Sequence, residues 1–156
     1  MPKAMRDEAR WVRHSKKKVP LQVSRRVASS TDPATWNSYE RVKQSPRVGA
    51  GIGFVLNGDG IVCIDLDHCI SRGRVAGWAQ AILDRLPRTY IEVSASGTGL
   101  HVFGRGRVDS GRRIRRSDGT AVEVYGNWRF ISITENRFEQ APSALADLSE
   151  VIAELT

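Results

Sequence analysis

The sequence predicts an α+β domain: a mostly antiparallel sheet with helices packed against it. Three observations predict this class. Several strand-like segments follow one another through connections too short for parallel crossovers, which need a dozen residues or more. One segment, Ile61-Val62-Cys63-Ile64-Asp65-Leu66-Asp67, is apolar almost to its end, the pattern of a strand buried on both faces. Finally, Leu145, Leu148, Ile152 and Leu155 recur at helical spacing. A chain of 156 residues fits one domain, expected over residues 11–156 behind a frayed, charged lead-in at 1–10.

The elements follow in order. Residues 11–23 suit a strand broken by Pro20. Ser30-Thr31-Asp32-Pro33 is a helix start, and Trp36, Tyr39 and Val42 at helical spacing predict a helix over 33–44 with its aromatic side chains in the core. Residues 52–56 and 61–67 read as a hairpin around Asn57-Gly58-Asp59-Gly60, a turn rich in residues that tolerate positive φ. A helix is predicted over 75–86, closed by Pro87, then strands over 89–95, 100–104, 120–125 and 129–134. Ser143 is expected to cap the closing helix.

Composition narrows the class of partner. A formal charge of +7 and a pI near 10.0 make nucleic acid, nucleotides or anionic surfaces candidate partners. The charge is clustered, at Arg13, Lys16, Lys17 and Lys18 and again at Arg105, Arg107, Arg112, Arg113, Arg115 and Arg116. A solvated face is the plain explanation of such a run, and phosphate contact is the functional one. No apolar run approaches the ~20 residues of a membrane span, and the charged N-terminal residues hold no signal-peptide core. A cytoplasmic protein without a membrane partner is expected. Cys63 and Cys69 describe no disulfide framework; with His68 between them they offer zinc only an atypical spacing, and buried thiols are the favoured reading.

Three elements carry chemistry. Asp65 and Asp67 stand two apart on one strand, so both side chains leave the same face. Two carboxylates that close repel each other unless a cation joins them, and Mg2+ or Mn2+ does so with hard oxygen ligands. A solvated strand end is the plain alternative. Glu92-Val93-Ser94-Ala95-Ser96-Gly97-Thr98-Gly99-Leu100-His101 is a strand, a turn of small residues and a second strand opening on histidine. Glycines let backbone N–H groups approach a phosphate, serines add donors, and His101 either donates to phosphate or is a core histidine. Glu123, between Val122 and Val124, either points to water or completes a metal site, and Arg129 either braces Glu123 or reaches a phosphate.

Taken in order, these elements resemble the archaeo-eukaryotic primase superfamily, and most of all the primase-polymerase (prim-pol) catalytic domains of phages and plasmids. Lys18-Val19-Pro20, Ser30 to Trp36 and Gly51 to Leu56 add to the likeness, which covers roughly residues 11–135. The superfamily's serine two before the histidine is Gly99 here, and Ser96 lies five before. The resemblance implies a modified RNA-recognition-motif-like palm and two-metal nucleotidyl transfer, that is, DNA primase and DNA polymerase chemistry on nucleoside triphosphates. It implies that Asp65, Asp67 and Glu123 hold Mg2+ or Mn2+. His101, the turn with Ser94, Ser96, Gly97 and Gly99, and also Lys18 and Arg129, would bind the nucleotide. The arginines from Arg105 to Arg116 would follow a DNA template or primer. A replicative helicase, as domain or separate protein, is a further partner the family suggests, and a monomer is expected. With no spare module for an initiating nucleotide, the chain is expected to extend primers weakly and to initiate poorly. A metal-dependent nuclease and a non-catalytic nucleic-acid-binding module of the same fold are the alternatives, separated from a polymerase by triphosphate binding and by its dependence on metal.

Overall fold

Burial at the N-terminal end sets the first departure from expectation. The computed structural model describes residues 1–156. Helix α1 (Lys3–Arg6) buries Met5 completely, and the Trp11 indole N–H donates to the Met5 carbonyl at 3.0 Å. Arg10 is buried too, 3.1 Å from Asp59 and stacked over Phe54. Residues 1–10 therefore pack on the core instead of fraying. In place of one strand broken at Pro20, strands β1 (Trp11–His14) and β2 (Pro20–Leu21) form an antiparallel pair; the chain reverses over residues 15–19, and Pro20 opens the second strand.

The helix expected over 33–44 forms in two pieces. Asp32 caps a 3₁₀ turn at Pro33–Thr35, but Trp36 is extended, and helix α2 (Tyr39–Lys43) restarts under the Ser38 hydroxyl. The physical reason is that the three aromatic and apolar positions serve different cores. The Trp36 indole N–H donates to the Ser29 carbonyl at 2.7 Å, and its ring packs with Val12, Ala28 and Val55; Tyr39 and Val42 face the opposite side of that sheet.

Strands β3 (Gly51–Asn57) and β4 (Ile61–Asp67) do not form a hairpin. Each is an interior strand with both edges already taken. β3 pairs with β1 and with β11 (Asn127–Ile133) in a four-stranded sheet ordered β11-β3-β1-β2. β4 is the centre of a five-stranded sheet whose other members are β7 (Ile91–Val93), β8 (Leu100–Arg105), β9 (Arg112–Arg115) and β10 (Ala121–Tyr125), in the order β7-β8-β4-β10-β9. The turn at Asn57–Gly60, with φ of +83° at Gly58 and +106° at Gly60, carries the chain from one sheet to the other. All pairings in both sheets are antiparallel. Between β4 and β7 lie a small hairpin, β5 (Ile70–Ser71) with β6 (Arg74–Val75), and helix α3 (Gly77–Leu83). Helix α4 (Ser149–Leu155) closes the chain and begins later than Ser143 predicts, because residues 145–148 run beside Arg105, whose N–H donates to the Ala146 carbonyl and whose carbonyl accepts from the Leu148 N–H, both at 2.7 Å.

The layers are thus sheet, sheet and helices. Ile52, Phe54, Leu56, Ile131 and Ile133 meet Ile61, Cys63, Tyr90 and Phe103 between the sheets. The outer face of the five-stranded sheet (Val62, Ile64, Leu66, Val102, Val122, Val124) takes α3 and α4. Leu148 lies so tightly over Gly104 that a Cβ there would stand 2.4 Å from its Cγ. No helix is long and apolar enough to cross a membrane. Trp11, fully buried and edge-on to both Tyr39 and Phe54, joins α1, α2 and β3. Trp11→Ala should lower unfolding free energy by about 3–5 kcal/mol in urea titration; a loss below about 1 kcal/mol would show that α1 is not part of the cooperative unit.

Candidate active site

Register puts the charged residues in one row. Across the five-stranded sheet, Glu92 lies opposite His101, His101 opposite Asp65, Asp65 opposite Glu123, and Glu123 opposite Arg113. Residues opposite one another in a sheet project from the same face. Here it is the face turned to the four-stranded sheet, because Cys63 and Phe103, two positions back, belong to the core between the sheets. The inner face is therefore apolar over one half and ionisable over the other.

The members of the row are held unequally. Glu92 is wholly buried and accepts from the Thr134 and Glu135 backbone N–H groups at 2.8 and 3.1 Å and from the Tyr90 hydroxyl at 2.8 Å. Burial nevertheless holds its carboxyl above the usual range. Glu123, also buried, takes one bond from Arg113 Nη1 at 3.0 Å and another from the Tyr125 hydroxyl. Arg129 does not pair with Glu123; its guanidinium stacks 4.1 Å from the centre of the Tyr125 ring. His101 sits 3.7 Å from Asp65 through Nε2, and its buried Nδ1 has no partner. Burial pushes this imidazole below its ordinary value, favouring the neutral ring. Asp65 has no arginine or lysine bonded to it. Burial first, then the negative charges of Glu123 and Asp67, push its carboxyl up to about 7.

The turn after β7 is closed by its own first serine. The Ser94 N–H donates to the Gly99 carbonyl at 2.9 Å, and the Gly99 N–H donates to Ser94 Oγ at 3.0 Å. Gly97 supplies the positive φ of +78°. Hydroxyl contacts run from Ser94 to Ser96 to Thr98 at 3.1 and 2.8 Å. A Cβ at Gly99 would lie 3.0 Å from the Leu66 carbonyl, so this glycine lets the turn press against the end of β4.

A cavity of about 570 Å3 lies against this row and along β11. Lys18, Asp65, Asp67, Ser94, Ser96, His101 and Arg129 line it; Glu123, Gly97 and Gly99 do not. The arginine stretch, in contrast, is not one surface. Arg107 pairs with Asp109, Arg113 with Glu123, and Arg116 stacks over Trp78. Arg112 to Arg115 form β9, a strand that charge alone conceals. Cys63 and Cys69 are buried in different cores and form no common site with the exposed His68, whose Nε2 stands 3.8 Å from Asp67.

The three acids are adjacent but not drawn into a cage: no group of three or more His, Cys, Asp or Glu side chains is placed to hold a metal ion. Glu123 is turned to Arg113 and Tyr125 instead. Asp65 and Asp67 still offer hard oxygen donors, and a divalent cation would offset both the burial and the mutual repulsion that raise the Asp65 carboxyl. These two residues fit such an ion, and Glu123 lies beside Asp65 in register. Glu92 and Tyr125 are members of the site that sequence reasoning misses. An acid between Ile91 and Val93 carries the same signal as Glu123 between valines, and only the fold separates their roles.

No family model matches the chain. Over 148 aligned residues, covering 88% of this chain, the sequence is 36% identical to the DNA primase-polymerase of Nitratiruptor phage NrS-1, and it spans 20% of that relative. Most of the chain is thus related to part of a primase-polymerase.

The raised Asp65 carboxyl has a measurable sign. Its protonated form is favoured by the fold, so that contribution is full below the unfolded value near 3.8 and is lost as pH rises through about 7. Under chelator, Asp65→Asn should melt like the wild type at pH 4 and be more stable by roughly 2–4 kcal/mol at pH 8. A stability difference that does not vary with pH would refute the raised carboxyl.

Proposed function

We propose that this chain is the nucleotidyl-transfer core of a DNA primase-polymerase, joining nucleoside triphosphates to a primer paired with template DNA. The observation that carries the reading is the placement of Asp65 and Asp67, with no arginine or lysine bonded to them, on a cavity that also presents His101, Lys18, Arg129 and the serine turn. The 36% identity to a phage primase-polymerase supports the same class of chemistry.

In this reading Asp65 and Asp67 hold Mg2+ or Mn2+, and Glu123 joins them by exchanging its bonds to Arg113 and Tyr125. Such ions, when bound, lower the pKa of a primer 3′-hydroxyl and steady the departing pyrophosphate. The remaining work belongs to the chain. His101, kept neutral by burial, presents Nε2 toward the cavity beside Asp65 and bonds a phosphate oxygen. Ser96 and the backbone of the turn bind phosphate while Ser94 holds the turn closed. Lys18 and Arg129 supply positive charge, and Arg129 is kept in place by its stack on Tyr125. Arg105, Arg112 and Arg115, exposed and without carboxylate partners, meet the nucleic-acid backbone; Arg113 belongs to Glu123 instead. A nuclease using the same acids would have no need of the triphosphate-sized, cation-lined cavity.

Two measurements test the reading. Asp65→Asn and Asp67→Asn should each reduce deoxynucleotide incorporation on a primed template by at least about a hundredfold, the scale on which removing one charge-stabilising group from a transition state acts, and should abolish the rise in melting temperature that Mn2+ gives the wild type. Incorporation by both variants near the wild-type rate would overturn the assignment. Separately, the triple change Arg105→Ala, Arg112→Ala and Arg115→Ala should flatten the dependence of single-strand affinity on salt by about two units of log–log slope, at about 0.7 for each phosphate no longer neutralised, with triphosphate affinity unchanged. An unaltered slope would return these arginines to a merely solvated role.

A further inference from the structure

We propose that Trp128 is a stacking platform for the nucleobase of the triphosphate held in the cavity, an inference that rests on the nucleotide reading above. Trp128 is the largest side chain left exposed, at 52%, and it belongs to none of the three hydrophobic clusters. Trp11, in contrast, is fully buried, and Trp36 and Trp78 pack against the cores. An indole left half-exposed and outside every apolar cluster gives up much of its usual burial, so packing accounts poorly for Trp128.

The backbone also departs from regular structure there. The β11–β3 register steps from Asn127 opposite Asn57 directly to Arg129 opposite Leu56, leaving Trp128 as the extra residue of a bulge. Its φ is +51°, in the left-handed region that side-chain-bearing residues rarely adopt. Bulges beside functional sites re-aim a side chain out of the ladder's alternation. Two contacts hold the bulge: Ser30 Oγ donates to the Trp128 carbonyl at 3.4 Å, and the next residue, Arg129, is pinned on Tyr125. The re-aimed ring lines the same cavity as Asp65, Asp67, Lys18 and Ser96.

The cavity's acids suit a cation, and its cations and hydroxyls suit a triphosphate. Two other aromatic side chains line it, but both are engaged: Tyr125 carries the Arg129 guanidinium on its ring, and Phe130 stacks on His14 and packs against the Val12, Ala28 and Val55 cluster. Trp128 is the aromatic ring left for a base. A flat indole accepts any base by its π-face, without reading hydrogen bonds. Such a contact adds affinity for the nucleotide and leaves the choice among bases to pairing with a template. Purines, with the larger face, gain most.

The full 156-residue chain with Mn2+ is titrated with dATP, with dTTP and with inorganic tripolyphosphate, as wild type, Trp128→Ala and Trp128→Phe. The alanine variant should bind dATP on the order of ten-fold more weakly, the scale of one base–aromatic stack, dTTP less so, and tripolyphosphate as the wild type does. Trp128→Phe should retain most of the dATP affinity while losing the tryptophan quenching that dATP causes in the wild type. Equal dATP affinity in Trp128→Ala and wild type overturns the platform and leaves the nucleotide reading standing. A wild type that binds neither dATP nor tripolyphosphate overturns both. Loss of single-stranded DNA affinity with dATP affinity intact also overturns it, by assigning the indole to a strand. Melting curves confirm that the variants fold; if Trp128→Ala does not, the quenching and affinity of Trp128→Phe decide.

Discussion

The structure turns on one electrostatic constraint: a row of ionisable side chains crossing a half-buried face at strand spacing. Neighbouring strands lie about 4.8 Å apart, so opposed carboxylates interact strongly wherever water is sparse. The chain answers this at the two ends of the row. Glu92 is bonded by three hydrogen-bond donors, and Glu123 by a guanidinium and a phenol. Asp65, in the middle, receives neither. Burial raises the Glu92 carboxyl as well, but Asp65 adds the charges of two neighbouring acids to its burial, and it faces the cavity.

The same face explains the division into two sheets. Apolar side chains at Ile61, Cys63 and Phe103 require a covering layer, which the four-stranded sheet provides; the residues two positions further along require an opening. β11, the edge strand of the covering sheet, runs beside that opening and forms its second wall. Past β11 the chain crosses back, and the backbone amides of Thr134 and Glu135 are the ones that hold Glu92. A buried acid thereby ties the two layers together at the side of the site.

Signals in the sequence are legible where local physics decides. The apolar run ending in Asp65 and Asp67 is a central strand, and Asn57–Gly60 is a turn. What that turn joins is not legible, because turn chemistry says that the chain reverses and says nothing of which edges remain free. The helix expected over 33–44 breaks for a related reason: spacing places Trp36, Tyr39 and Val42 on one stripe, but two separate cores compete for them. The opposition of Asp65 with His101 and Glu123 depends on the register of distant strands, which periodicity does not encode. Arg113 and Arg116 are hidden in the charge run for the same reason, since their partners, Glu123 and Trp78, lie elsewhere in sequence. Trp128 sits inside what reads as an ordinary turn.

The place of β4 at the centre of its sheet also bears on how the molecule is made. Both of its neighbours, β8 and β10, come later in the chain, and the strand that walls the cavity comes later still. During synthesis from the N-terminal end, a nearly continuous apolar strand must therefore emerge and wait with both edges bare. Such non-local pairing slows folding and exposes an edge able to recruit other chains. Asp65 and Asp67 lie on that waiting strand. Two charges at its end, which face the cavity in the finished molecule, also work against intermolecular pairing while it is unfinished.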